Sequence, residues 1–140
     1  MRRRTLAALG LALLLAGSAA VAARPATPPK TYPTGVFTIA GKPVAARDIL
    51  DARALPDMAG RPSLMITLTP TAADAIATAA GPEHLPCTLD GKPIGASARD
   101  TLASDHILQI SGDFGDYDAT AALARRISGR DPLPDSEGDQ

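Results

Sequence analysis

The chain has 140 residues, with 14 Lys+Arg against 15 Asp+Glu, two His, one Cys and no Trp. One cysteine excludes a disulfide framework, and a formal net charge of −1 leaves no basic excess for nucleic acid. Tyr32, Phe37, Phe114 and Tyr117 are the only aromatics, too few for a platform that stacks bases or sugars.

Arg2, Arg3 and Arg4 precede an apolar run from Leu6 to Leu15 and a run of small residues from Ser18 to Ala23. A basic start, a short apolar core and a small-residue end are the layout of a cleavable signal peptide, here expected over 1–23 with cleavage after Ala22 or Ala23. The apolar core enters the bilayer while the arginines stay cytoplasmic. The expected location is the bacterial periplasm, or secretion beyond it. No cysteine follows Leu15-Ala16-Gly17, which closes the lipoprotein route. Loss of the leader removes three arginines; the remaining 117 residues carry 11 basic and 15 acidic groups, a net charge of −4.

Residues 24–34 read as a proline-rich linker, through Pro25, Pro28, Pro29 and Pro33. Residues 135–140 read as a polar, acidic and disordered tail. The folded domain is expected between them, over 35–134. Its first strand is Val36–Ala40. Ile49–Leu55 alternates loosely, with Leu50, Ala52 and Ala54 on one face. Ser63–Leu68 is an apolar run between breakers and reads as a buried strand. A helix from Ala72 to Ala80 is expected to bury Ala72, Ile76, Ala79 and Ala80. Asp90-Gly91 between Pro86–Leu89 and Lys92–Ile94 marks a two-residue hairpin, because both central positions need positive φ. A short helical turn over Arg99–Ser104 and a buried strand over Ile107–Ser111 follow. The last helix runs from Asp116 to Ser128, with Ala119, Leu123 and Ile127 as its buried stripe and Gly129 as its stop. The expected fold is α+β, a small mostly antiparallel sheet with two helices packed on one face.

No constellation carries chemistry. Cys87 lies inside an apolar strand without a basic partner and reads as a core residue. His84 and His106 each follow an acid, Glu83 and Asp105, but adjacent strand residues point to opposite faces, so neither pair converges on a metal. The serines lack a nucleophile elbow. Asp113, Asp116 and Asp118 crowd the Gly112–Gly115 turn and would repel a phosphate. Asp48, Asp51 and Asp57 read as solvated turn residues. No catalytic residue, cofactor or metal is expected.

Three segments in order carry a resemblance: Gly60-Arg61-Pro62 with the strand to Leu68; Leu89-Asp90-Gly91-Lys92; and Gln109-Ile110-Ser111-Gly112-Asp113-Phe114 running on to Leu123-Ala124, with Leu133-Pro134 closing. Together they resemble the head subdomain of the first large periplasmic domain of SecD, the protein-export factor that works with SecF. The similarity covers Val44 to Pro134. Gly115 stands where that family often has a capping Thr, and Asp118 where it has Glu. SecD couples its periplasmic domain to membrane helices and the proton gradient, and this sequence offers no such helices. The resemblance therefore implies a fold and a tendency to contact extended or non-native polypeptide, without transport or catalysis. It makes Asp90, Gly91, Gly112 and Phe114 architectural: turn, turn, tight junction and core plug. The expected partner is polypeptide or an envelope protein. Two rival readings are a small periplasmic enzyme gathering His84, Ser97, Asp105 or His106, and an envelope-anchored structural or inhibitory module.

Overall fold

A computed structural model describes residues 30–79 and 81–134. The leader 1–23, the first part of the linker and the tail 135–140 lie outside the described residues. The chain runs β1 (Phe37–Ile39), β2 (Lys42–Val44), a 3-10 turn (Ala46–Asp48), β3 (Ile49–Pro56), β4 (Pro62–Leu68), α1 (Pro70–Ala79), β5 (His84–Leu89), β6 (Lys92–Ala98), α2 (Arg99–Asp105), β7 (Ile107–Ile110) and α3 (Tyr117–Ser128). The class is α+β, and every strand pair is antiparallel.

The strands form two sheets, ordered β2-β1-β5-β6 and β3-β4-β7. A single bridge, Ala96 to Ser111, joins β6 to the end of β7. Gly95 makes that approach possible: at φ +132° a Cβ would lie 2.5 Å from the Ser111 carbonyl oxygen. Ser97 Oγ also accepts the Gln109 N–H at 2.9 Å across the seam. The expected single sheet is thus divided where β6 and β7 diverge.

β2 was not expected. Ala40 and Gly41 take φ of +51° and +82°, the backbone of a tight hairpin, but Ala at the first position hides it from composition rules. Two bulges also move residues off simple alternation. Ile49 pairs with Leu68 and Asp51 with Thr67, so Leu50 is the extra residue; it is exposed, while Ile49 and Ala52 are buried. A second bulge leaves Ile94 between the Cys87–Gly95 and Thr88–Pro93 pairs.

Phe37, Ile39, Leu64, Ile66, Leu68, Leu85 and Leu108 form the centre of one apolar cluster shared by both sheets. Each such buried side chain contributes about 2 kcal/mol. All three helices join it, through Ala73 and Ile76, Leu102, and Ala124 and Ile127. α3 buries Thr120, Ala124, Ile127 and Ser128; of the expected stripe Ile127 is buried, Leu123 packs half-buried on the core and Ala119 is exposed. Thr120 can enter the core because its hydroxyl donates to the Asp116 carbonyl at 2.8 Å. Asp116 caps the helix by accepting the Ala119 N–H at 2.8 Å, and Gly129 ends it at φ +76°. α1 buries Ile76 as expected, together with Ala73; Ala72 packs half-buried on the core, Ala79 is exposed, and Ala80 lies outside the described residues.

The folded unit begins upstream of its expected start. Thr31 bridges to Arg130, the Tyr32 N–H donates to the Gly129 carbonyl at 2.9 Å, and the Tyr32 hydroxyl donates to Asp131 at 2.9 Å. The end of the expected linker is therefore docked, because Tyr32 offers a ring and a hydroxyl to α3 and the chain beyond it; Arg125 lies 5.4 Å over that ring.

Candidate functional site

The β3–β4 loop is built by one carboxylate. Asp57 Oδ1 accepts the N–H groups of Ala59 and Arg61, each at 2.8 Å. The Asp57 N–H donates to the Arg61 carbonyl at 2.8 Å, and the Gly60 N–H to the Asp57 carbonyl at 2.9 Å. Gly60 turns the chain at φ +81°. Those hydrogen bonds, led by the Arg61 N–H and reinforced by its guanidinium at 3.4 Å, hold the Asp57 carboxyl below its usual range. Asp57 is therefore a turn residue, as expected, but its side chain is largely shielded within the loop rather than solvated. Its bonds leave Met58 at the tip, fully exposed at 107%.

Beneath this loop lies an open cleft with two lobes of about 410 and 580 Å³ that share Asp57, Arg61 and Ser111. The first lobe is floored by Ser97 and Ala98 of β6 and Gln109 of β7. The second continues along Gly112, Asp113 and Phe114. Two of the positions singled out by the resemblance shape it. A Cβ on Gly112 would lie 2.8 Å from the Ile94 carbonyl oxygen and 3.0 Å from Phe114 Cζ. Phe114 is half-buried and packs on the core from the cleft side. The cleft mixes methyl, thioether and ring surface with amide, hydroxyl and charged groups.

The other two positions form a separate junction. Asp90 and Gly91 take φ of +53° and +81°, as the hairpin demands. Asp90 also reaches beyond its own turn: Oδ1 accepts the Val36 N–H at 2.8 Å, Oδ2 pairs with the Arg126 guanidinium, and its own N–H donates to the Val36 carbonyl at 2.8 Å. The Val36 hydrogen bond first, and then the Arg126 charge, hold its carboxyl below the usual range. Gly35 leaves the necessary room, since a Cβ there would sit 2.7 Å from both carboxylate oxygens.

The remaining polar candidates are dispersed. Cys87 is fully buried; desolvation pushes its thiol up to about 12, and its Sγ–H faces the Leu85 carbonyl at 3.5 Å. His84 is exposed on the opposite face of β5. His106 closes α2 in the left-handed conformation and faces Asp74 of α1 at 3.4 Å. Of His84, Ser97, Asp105 and His106, Ser97 alone lines the cleft lobes, and its oxygen is engaged by Gln109. Among the described residues no three His, Cys, Asp or Glu side chains converge in a way that could hold a metal ion. The sequence signal for the loop was available: Pro56-Asp57 ahead of Gly60 is turn chemistry between two strands.

The fold is that of a SecD-like domain. Two solved structures carry that likeness. One is a crystal structure of SecDF in a super-membrane-facing form, 26% identical with a TM-score of 0.52 over 67% of this chain and 13% of that one. The other is a structure of SecDF described as a membrane component that enhances protein export, 26% identical with a TM-score of 0.53 over 67% of this chain and 44% of that one. The chain thus spans less than half the length of the solved chains it matches. No family model and no curated protein matches the sequence. Among the described residues no helix is long and apolar enough to cross a membrane.

Proposed function

We propose that this chain is a non-enzymatic periplasmic protein whose SecD-like domain binds extended polypeptide, as an accessory to protein export or envelope maintenance. The observation that carries the reading is the likeness, over 67% of the chain, to a component described as enhancing protein export. The open cleft beneath Met58 supports it, because a mixed polar and apolar trough accommodates main chain and varied side chains together. The leader, with its three arginines and apolar run, supports delivery across the inner membrane. The test is a photo-reactive residue in place of Met58, in cells that make the protein with its leader. Adducts with other polypeptides in the process of export are expected. Folded protein that gives none in the periplasm would contradict the reading.

A further inference from the structure

Asp51 and Arg53 stand two residues apart on β3, so both project from one face of its sheet. They pair with each other at 2.6 Å, and their side chains are 13% and 23% exposed. Together they grip the main chain of one distant residue. Asp51 Oδ1 accepts the Leu133 N–H at 2.8 Å, and Arg53 Nη2 donates to the Leu133 carbonyl at 2.8 Å. Upstream, the Arg130 guanidinium donates to the Ile49 carbonyl, so the contacts of residues 130–133 advance along β3 in the strand's own direction. The Leu133 side chain is 55% exposed, so the grip falls on peptide groups rather than on the leucine.

One acceptor and one donor set to the N–H and C=O of a single residue fit any extended segment with a free amide, whatever its side chain. The resident segment is a weak example. Pro132 and Pro134 flank Leu133 and have no N–H of their own, so in the resident segment this pair holds Leu133 alone. β3 is also the outer strand of its sheet among the described residues, and a segment without prolines could continue along it.

We propose that the Asp51–Arg53 pair is a binding site for the main chain of an extended, proline-poor polypeptide, and that the chain's own Pro132–Pro134 occupies it until such a segment displaces it. The inference rests on the polypeptide-binding reading and adds a second contact, on β3, to the cleft beneath Met58. A resident segment lowers apparent affinity by the fraction of time it holds the site.

The test uses the full chain, a short labelled peptide of Leu, Thr and Ser, fluorescence anisotropy, and hydrogen exchange at the Leu133 amide. In the unsubstituted protein that amide is expected to be protected and to lose protection as peptide binds. Leu133→Ala keeps both main-chain groups and should bind like the parent. Leu133→Pro removes the N–H that Asp51 accepts and should bind about tenfold tighter. Adding Arg53→Met to Leu133→Pro should abolish that gain while circular dichroism shows the fold retained. Peptide binding with Leu133 still protected, and no gain in Leu133→Pro, would overturn this site and leave the polypeptide-binding reading intact. Absence of peptide binding by all of these proteins would overturn both.

Discussion

Asp57 and Asp90 each organise a hairpin turn that contains a glycine at φ +81°, yet the two turns are spent differently. Asp57 bonds only within its own loop, to Ala59 and Arg61. Asp90 bonds outward, to Val36 at the start of β1 and Arg126 on α3. The first turn stands free with Met58 at its tip above a cleft; the second is a joint that fastens the two ends of the folded unit together. The backbones differ, since Asp90 is itself left-handed at φ +53° in a two-residue turn while Asp57 opens a longer loop, and the two carboxylates find their donors in different places.

That comparison can be broken at Gly35. Gly35→Ala would press a Cβ against the Asp90 carboxylate and force it from both partners, so chemical denaturation should show the largest fall in midpoint among these variants. The glycines themselves should not distinguish the turns. Gly91→Ala and Gly60→Ala each place a Cβ at φ +81° with no atom within 4 Å, so both should cost about 1 kcal/mol, through backbone strain alone. A clear inequality between them would show that one turn differs in more than its side-chain bonds.

Acid sharpens the contrast. Both carboxyls lie below their ordinary value in the folded state. A depressed folded value means the stabilisation is complete above the unfolded value of about 4 and disappears as pH falls through the folded one. Thermal melts below about pH 4 should therefore show Asp90→Asn losing less stability on acidification than the parent. Asp57→Asn should behave similarly but lower the neutral-pH midpoint less, because its bonds are local to one loop. Smallest of all, Met58→Ser should leave stability within about 0.5 kcal/mol, since the side chain touches nothing that folding buries. In the same variant, polypeptide binding should weaken.

Much of the frame was legible in the sequence, and the misses have particular causes. β4 and β7 were readable as apolar runs between breakers, and Asp116 and Gly129 marked the ends of α3. β2 was hidden because Ala40 occupies a positive-φ position that composition rules reserve for Asn, Asp or Gly. Ile127 on the buried face of α3 was legible, whereas Thr120 was not, because it satisfies its hydroxyl within its own helix and so enters the core like an apolar residue. Asp90 was legible as a turn residue, but not as a joint, since Val36 and Arg126 are 54 and 36 residues away. The same limit hid the grip on Leu133, whose partner Asp51 lies 82 residues earlier. Local chemistry is written in neighbouring letters, whereas tertiary hydrogen bonds between exposed polar groups carry no periodicity to read.

The proposed binding of polypeptide by this SecD-like domain turns on the extended state of the ligand. Its most direct test is a fluorescence titration of the purified protein with one labelled protein presented in two forms, natively folded and permanently unfolded by reduction and alkylation. Saturable binding of the unfolded form and none of the native form is expected. Failure to bind the unfolded form, or equal binding of both, would contradict it.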